Sequence, residues 1–316
     1  MNVITVTLNP AFDLHFSLPV FHVGKENYVE SASISAGGKS VNISRALTAN
    51  GVPSKALVVL GKENAESFQA KLRQEGVDFL PFLTDGAIRE NITLHEQDGR
   101  ESRISLDSFS LSPKMLDHLA YELYGMIDKD TIVTLSGRLP GGIGVEEAKR
   151  FCRGIRERTP YLILDSNSFR AEDLAQIRPW LIKPNEHELQ ALTSLPTESE
   201  EQIASAAAAL LNTGVAQVLV TLGPRGALYL GARPDTGHRV KARITVPKTE
   251  PVSTVGAGDS TIAGLIKGFY EGQPIEQCLK TAMAFGSAAC LRPGTAPPLP
   301  ADVATIRNEV KVTLTV

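Results

Sequence analysis

The chain of 316 residues has few cysteines, little net charge and no apolar run long enough to span a bilayer. Its cysteines, Cys152, Cys278 and Cys290, are too few and too scattered for a disulfide framework or a zinc site. A net charge of −3 favours neither a nucleic-acid nor a membrane surface, so an anionic ligand needs a local cluster of Lys and Arg. The first residues, MNVITVTLNP, lack the pattern of a signal peptide, and we expect a cytoplasmic protein.

What the sequence does contain is a regular alternation of strand and helix patterns. Apolar segments such as NVITVTL and AQVLVTLG alternate with helical patterns such as EEQIASAAAALLNTG. Strands that are apolar on both faces predict a mostly parallel sheet flanked by helices on both faces. GALYL and HRVKARITVP then predict an antiparallel extension. We therefore expect one α/β domain over residues 1–316.

Two segments, about residues 12–35 and 88–108, depart from this alternation. In the second, NITLHE and ESRISLD alternate apolar and polar residues around QDGR, which predicts a hairpin. Because neither segment is long enough to fold alone, we expect them to form together a small antiparallel β lid over one edge. The apolar side chains that share one face of this hairpin are Ile92, Leu94, Ile104 and Leu106.

Ligands of such sheets lie beyond the carboxyl ends of the strands. The residues that follow predicted strands are Asn9, Gly61, Ser136, Asp165, Asn185 and Gly223.

The stretch STVGAGDS indicates chemistry. Gly256, Ala257 and Gly258 precede Asp259, and apolar residues at helical spacing follow it. A helix start offers unpaired N–H groups to an anion, and glycines let the anion approach closely. A carboxylate beside that anion can accept a proton from a substrate hydroxyl. An ordinary N-cap aspartate after a flexible turn is the alternative, and this short motif alone leaves both open.

Two other nucleotide-binding motifs fail at one position each. Thr261 stands where the dinucleotide fingerprint needs its third glycine, which argues against a nicotinamide dehydrogenase. SISAGGKS approaches a P-loop, but Ser33 stands at its first glycine. We interpret this stretch as a second anion-binding turn, with Lys39 at a helix start.

Five motifs, in this order and spacing, resemble the ribokinase-like, PfkB-type sugar kinases, from about Thr5 to Thr295. They are TLNPAFD, AGGKSVN, KPNEHEL, TLGPRGAL and STVGAGDS. The sequence is most similar to the phosphosugar kinases of that family, such as 1-phosphofructokinase and tagatose-6-phosphate kinase. The resemblance implies a ribokinase-like fold and an enzyme that uses ATP and Mg²⁺.

The resemblance also implies roles for particular residues. Asp259 is the expected catalytic base, with Gly256, Ala257 and Gly258 as the anion hole. Asn185 and Glu188 match the family's N-x-x-E motif and are expected to organise Mg²⁺ through water, although alone this motif fits a solvated helix face better. The positions implied for ATP are Lys183, Asn185, Thr221, Gly223, Gly226 and Ser287.

On the sugar side, the resemblance assigns Asp13 to sugar hydroxyls and Arg89 to a phosphate, which suits its planar fork of donors. The other positions that it assigns to the substrate are Lys25, Gly37, Gly38, Lys39, Asn42, Asn91 and Arg138. Arg138 stands where the subgroup usually has a serine, and it either reaches into the cleft or turns to solvent. Ser40 replaces a glycine that is usual after Lys39.

The expected reaction is phosphorylation of a hydroxymethyl group on a ketohexose phosphate. Fructose 1-phosphate is the first choice of acceptor, and tagatose 6-phosphate and fructose 6-phosphate are the alternatives. A non-catalytic sugar-phosphate-binding regulator is an alternative of another class. The resemblance further implies a homodimer through the lid. It leaves a monovalent cation open, because Arg292 lies in the loop that corresponds to the family's cation site, near Pro251, Ser253, Ala289 and Gly294.

Overall fold

The computed structural model describes residues 1–232 and 239–315. The strands are β1 (Val3–Thr7), β2 (Ala11–Leu18), β3 (Ser31–Gly37), β4 (Lys55–Gly61), β5 (Asp78–Thr84), β6 (Arg89–Glu96), β7 (Glu101–Ser105), β8 (Ile132–Ser136), β9 (Leu162–Asp165), β10 (Leu181–Ile182), β11 (Gln217–Thr221), β12 (Ala227–Ala232), β13 (Arg239–Thr245) and β14 (Lys311–Thr315). The helices are α1 (Lys39–Ala49), α2 (Ala65–Gln74), α3 (Pro113–Met126), α4 (Val145–Arg156), α5 (Ala171–Ile177), α6 (Glu186–Thr193), α7 (Glu200–Asn212), α8 (Ala257–Tyr270), α9 (Ile275–Ala289) and α10 (Pro300–Glu309).

The larger sheet is mostly parallel, as predicted. Within the described residues its order is β14-β13-β12-β11-β10-β9-β8-β1-β4-β5. Every neighbouring pair from β11 to β5 is parallel, and β12, β13 and β14 add antiparallel strands at the other side. The antiparallel extension was predicted, although His238, the first residue of its second segment, lies outside the described residues. Edge strand β5 was not predicted, because Pro81 interrupts its pattern.

Helices cover both faces of this sheet. Alternate side chains of β1 enter two apolar cores: Ile4 and Val6 belong to one, and Val3 to the other. The first core holds side chains of α2 to α7, whereas the second holds side chains of α1, α8, α9 and α10. Because β1, β8 and β9 are buried on both faces, they lack the alternation of a half-exposed strand.

The two departing segments form a second sheet with the order β3-β2-β6-β7, which we call the lid. Its outer pairs, β2–β3 and β6–β7, are antiparallel, as predicted. Its central pair, β2–β6, is parallel, which was not predicted. The reason is directional: β2 follows β1 and β6 follows β5, and because both enter the lid from the parallel sheet, they run the same way.

The three cysteines are unpaired thiols. Cys152 and Cys278 are buried within helices α4 and α9, and Cys290 directly follows α9. Among the helices that the structure describes, none combines the length and the apolarity needed to cross a membrane.

Candidate active site

Helix α8 begins at the glycine turn. Gly256 is its N-cap residue, with a left-handed φ of 78°, and makes no side-chain cap hydrogen bond. Asp259 follows in the first turn and is buried. Its Oδ2 accepts a hydrogen bond of 2.8 Å from Nδ2 of Asn42 on α1. Asp259 is therefore not the N-cap residue, and its carboxyl group faces a neighbouring helix instead.

The carboxyl group of Asp259 has an unusual pKa. This pKa is raised from 3.8 to about 7, chiefly by burial and further by the negative charge of Asp165. The hydrogen bond from Asn42 and the charges of Lys39 and Lys183 act in the opposite direction. A carboxyl group that titrates near neutral pH is well suited to accept and release a proton.

Two ammonium groups lie beside the glycine turn and share Asp165, the last residue of β9. Lys39 Nζ is 3.1 Å from Asp165 Oδ2, and Lys183 Nζ is 3.8 Å from the same oxygen. A methyl group at Gly258 would lie 3.0 Å from Lys183 Nζ, so the ammonium group lies directly against the turn. Although burial opposes it, the charges of Asp165, Asp259 and Glu188 raise the pKa of Lys39. The turn therefore has concentrated positive charge next to its N–H groups.

A cavity of about 890 Å³ extends from this turn between α6, the end of β11, the segment that follows β13, and α9. Ala257 and Gly258 line one end of it. The residues implied for ATP that also line it are Asn185, Thr221, Gly223, Gly226 and Ser287. Gly226 has a left-handed φ of 91°, and the Ile244 carbonyl occupies the place where a Cβ would stand. The cavity is within the size range of nucleotide and cofactor sites.

Asn185 and Glu188 form a capping box at the start of α6. Asn185 Oδ1 accepts from the N–H of Glu188 at 2.9 Å, and Glu188 Oε2 accepts from the N–H of Asn185 at 2.8 Å. The negative charge of Glu188 also raises the pKa of Lys39, so Glu188 contributes to the electrostatics of the site. Across residues 1–232 and 239–315, no group of three or more His, Cys, Asp or Glu side chains is placed to hold a metal ion.

The substrate positions on the lid lie on its polar face. Asp13 and Asn91 are paired across β2 and β6, and Asn91 Nδ2 donates to Asp13 Oδ1 at 2.9 Å. Asn91 Oδ1 in turn accepts from Arg89 Nη1 at 3.3 Å. A Cβ at Gly37 would overlap the Asp13 carboxylate, so only glycine allows this close approach. Gly38, the N-cap residue of α1, has a left-handed φ of 117°.

Arg138 and Arg89 carry neighbouring positive charges. Burial lowers the pKa of Arg89, and the charge of Arg138 lowers it further. Arg138 acts on Arg89 through its charge, and its own side chain is exposed to solvent. Two adjacent guanidinium groups favour a bound phosphate between them. Lys25 is different: it lies on an exposed turn, and its ammonium group makes no hydrogen bond or ion pair with another described residue.

The lid contacts the glycine turn through Thr295. Ser35 Oγ of β3 lies 3.3 Å from Thr295 Oγ1, and a Cβ at Gly256 would lie 3.5 Å from Thr295 Cγ2. The sequence offered no signal for Thr295. It did place Asp165 at a strand end, but did not assign it to the site.

Ser40, which replaces the glycine usual after Lys39, is buried, and its Oγ accepts a hydrogen bond from the N–H of Ser136 at 3.0 Å.

Comparison with known proteins gives one consistent result. The family model for pfkB family carbohydrate kinases matches residues 12–302. The chain is 31% identical over 287 residues to 1-phosphofructokinase of Escherichia coli K12, covering 91% of this chain and 90% of the relative. It is 32% identical over 290 residues to 1-phosphofructokinase of Borreliella burgdorferi, covering 91% of each.

Among solved structures, phosphofructokinase-2 of E. coli in complex with substrates and products matches with a TM-score of 0.88. The two are 26% identical, and the match covers 98% of this chain and 99% of that one. The same E. coli protein in complex with potassium matches with a TM-score of 0.87 at 25% identity, over 98% of each chain.

Proposed function

Because this chain belongs to the pfkB family of carbohydrate kinases, we propose that it transfers the γ-phosphoryl group of ATP to a hydroxymethyl group of a ketohexose phosphate. We propose fructose 1-phosphate as the acceptor and fructose 1,6-bisphosphate as the product. The names of the E. coli and B. burgdorferi relatives support this choice. The observation that carries the proposal is Asp259, a buried carboxyl group beside an uncapped helix start that adjoins a nucleotide-sized cavity.

In the proposed reaction, Asp259 accepts the proton of the attacking hydroxyl group. As that hydroxyl oxygen bonds to the γ-phosphorus, the bond to the leaving oxygen of ADP breaks. The N–H groups around Gly256, Ala257 and Gly258 stabilise the negative charge of the transferring phosphoryl group. Lys183 lies against the same turn, and Lys39, which pairs with Asp165, acts on Asp259 through its charge. The two ammonium groups offset the negative charge of the phosphate groups, which would otherwise repel the Asp259 carboxylate.

The nucleotide is proposed to occupy the cavity lined by Thr221, Gly223 and Gly226. In this arrangement Ser287 lies near the adenosine end, whereas Lys183 and Asn185 lie near the phosphates. The volume of about 890 Å³ and the contact of the cavity with Gly258 fit a molecule that reaches the turn with its terminal phosphate.

The residues present also fit Mg²⁺ held through water and phosphate oxygens. Mg²⁺ retains several waters and is commonly bound by one or two carboxylates plus substrate phosphates. Asn185 and Glu188 hold each other in the capping box, and the negative charge of Glu188 also acts on Lys39, which suits such indirect contact. When bound, Mg²⁺ neutralises phosphate charge and orients the triphosphate.

On the sugar side, we propose that Asp13 and Asn42 bind sugar hydroxyls, while Arg89, with Arg138, holds the phosphate of the substrate. Asn91 holds Asp13 and Arg89 in one hydrogen-bonded chain. Gly37, Gly38 and Lys39 form the facing turn. Lys25 is assigned only by the family resemblance, and its exposed turn would have to close over the substrate.

Three further assignments belong to this proposal. The lid and the α/β body act as one kinase unit over residues 1–316. The enzyme works in the cytoplasm, where ATP and phosphosugars are available. A monovalent cation such as potassium, present in a structure of the E. coli relative, binds the loop near Pro251, Ser253, Ala289 and Gly294, unless Arg292 supplies the positive charge there.

A screen of ADP release tests the proposal. The acceptors are fructose 1-phosphate, fructose 6-phosphate, tagatose 6-phosphate and the free sugars, each with ATP and Mg²⁺, in potassium and in potassium-free buffer. We expect the highest kcat/KM with fructose 1-phosphate. A higher value with another acceptor would reassign the substrate and leave the chemistry in place.

The role of the base is tested with Asp259→Asn, which keeps the shape of the side chain and removes the group that accepts the proton. We expect turnover to fall by about two to four orders of magnitude, with a modest change in substrate affinity. Near-normal turnover of this variant would contradict the role of Asp259. Tight calorimetric binding of a phosphosugar by the wild type, with no turnover of any acceptor, would instead support a non-catalytic regulator.

A further inference from the structure

Arg45 of α1 is a buried arginine that the proposed reaction does not use. Its side chain is 3% exposed, and both Nε and Nη2 bind the carboxylate of Glu75, the residue that directly follows α2. The third nitrogen, Nη1, turns away from Glu75. It donates to the Thr295 carbonyl at 3.1 Å and to Thr295 Oγ1 at 3.2 Å. One guanidinium group therefore joins α1, the end of α2 and the loop that packs against the glycine turn.

Nη1 of Arg45 also faces Asn42, which lies three residues earlier on the same helix. The distance from Nη1 to Asn42 Oδ1 is 3.4 Å. The oxygen and the NH₂ group of a side-chain amide have nearly the same size and shape. Their hydrogen-bond partners therefore decide which of the two groups occupies which position. Because arginine has only donors, the end that faces Arg45 is the oxygen. The NH₂ end of Asn42 then faces Asp259, where it donates to Oδ2 at 2.8 Å.

We propose that Arg45 is a positioning residue: it fixes the orientation of the Asn42 amide so that Asn42 donates a hydrogen bond to the carboxylate of Asp259. This inference rests on the proposed function, because it concerns the base of that reaction. The carboxylate of Glu75 binds one edge of the guanidinium group. The Thr295 carbonyl, which lies in the loop beside the glycine turn, accepts a hydrogen bond from Nη1.

The orientation of the amide has a direct consequence for the base. The groups that face Asp259 are Asn42 and Lys39 from α1, Asp165 from the end of β9, and Lys183 from the end of β10. Burial and Asp165 oppose ionisation, while the other three favour it. A flipped amide would present its oxygen to the carboxylate and favour the protonated acid. Without Arg45, the pKa of Asp259 therefore rises above its value of about 7.

The test is the pH profile of kcat/KM for Arg45→Met, with the best acceptor from the wild-type screen. We expect the acidic limb to move to higher pH by roughly one unit, the shift that corresponds to loss of a modest hydrogen bond. Activity at pH 7 should fall several-fold, and most of the loss should be recovered above about pH 8.5. Recovery at high pH separates a positioning role from general damage to the fold.

The matched control is Arg307→Met on α10. Arg307 also makes side-chain hydrogen bonds at a helix interface, to Thr281 and Gln277 at 2.9 Å each, but it does not contact Asn42. We expect Arg307→Met to lower thermal stability and to leave the acidic limb in place. Should Arg45→Met fail to fold, Glu75→Ala replaces it, because that carboxylate is 31% exposed and its loss frees the guanidinium to move. The same upward shift, smaller in size, is expected.

A double mutant identifies the route of the effect. If Arg45 acts through Asn42, Arg45→Met should not move the acidic limb any further in an Asn42→Leu background. An unmoved limb in folded Arg45→Met or Glu75→Ala would overturn the inference, and so would shifts that add independently to that of Asn42→Leu. Failure of the proposed function is seen separately, as a wild-type protein that phosphorylates none of the acceptors.

Discussion

The carboxyl group of Asp259 is balanced between two sets of neighbours. Burial and Asp165 favour its protonated form, whereas Asn42, Lys39 and Lys183 favour its ionised form. The outcome, a pKa of about 7, leaves a large fraction of both forms at neutral pH. A base with this pKa can take a proton from an alcohol and return it to solvent after the reaction. The lysines keep the buried group from becoming a permanently neutral acid.

The pKa of Asp259 predicts how activity depends on pH. Only the ionised carboxylate can accept a proton, so kcat/KM should be constant well above pH 7 and fall about tenfold per unit well below it. The measurement is kcat/KM from pH 5.5 to 9 at constant ionic strength.

Phosphate groups of the substrates titrate in the same range, so a control is needed. The residual activity of Asp259→Asn should lack this limb, because asparagine has no proton to lose. An identical limb in both proteins would assign the titration to the substrates and would contradict the role of Asp259.

At the level of elements, two glycine turns shape two different parts of the site. Gly37 ends β3 against the Asp13 carboxylate, and Gly258 lies in the first turn of α8 against Lys183. A methyl group at either position would contact a side chain of the candidate site, Asp13 or Lys183, and would not contact the apolar core. The two turns should therefore affect sugar binding and phosphoryl transfer separately.

The two glycine variants should affect different kinetic constants, one mainly KM and the other mainly kcat. In Gly37→Ala the methyl group displaces the Asp13 carboxylate, so we expect KM for the phosphosugar to rise roughly tenfold with little change in kcat. In Gly258→Ala the methyl group lies 3.0 Å from Lys183 Nζ and pushes the ammonium group from the turn, so we expect kcat to fall about ten- to a hundredfold. Steady-state kinetics in both substrates measure the two effects.

Gly125→Ala is the control for these substitutions. Gly125 lies within α3, and no heavy atom outside its chain neighbours and the backbone of its own helix lies within 4 Å of the place where its Cβ would stand. Alanine there should leave both constants unchanged and slightly stabilise the helix. If Gly37→Ala and Gly258→Ala also leave both constants unchanged, neither turn contacts the reacting groups.

For the whole molecule, the two faces of the lid differ in character. Asp13 and Asn91 lie on the polar face, with Ser35 beside Thr295. Ile92 and Ile104 are paired across β6 and β7 and lie on the other face, which confirms this pair of the predicted apolar side of the hairpin; Ile34 of β3 shares that face. In a single chain Ile34 and Ile104 are 49% and 50% exposed. We propose that a second copy of the chain covers this face and forms the homodimer.

Charge on the apolar face of the lid should prevent association. We expect Ile104→Asp to convert a dimer into a monomer at micromolar concentration, because an unpaired carboxylate is costly to bury. Sedimentation equilibrium measures the molecular mass directly. Tyr121→Asp on α3, where the side chain is 77% exposed, is the control and should not change the mass. A monomeric wild type, or a dimeric Ile104→Asp, would place the contact elsewhere or exclude it.

Much of the fold was predictable because its signals are local. Apolar segments without alternation predicted parallel strands between helices, and Asp98-Gly99 predicted the β6–β7 hairpin. The motif order predicted the family, and the structure brings most of the implied residues together. The parallel pairing of β2 with β6 was not predictable, since their periodicity gives no direction of pairing.

By itself, the sequence determined which residue types stand at each strand end and helix start: the glycine turn, its acid and the lysines. Only the tertiary structure decided what those residues do to one another. Asn42 and Asp259 are 217 positions apart, and Lys39 and Asp165 are 126 positions apart. Periodicity reports only neighbours within a few residues. The burial that raises the pKa of Asp259 and the contact that orients Asn42 arise when distant segments pack together.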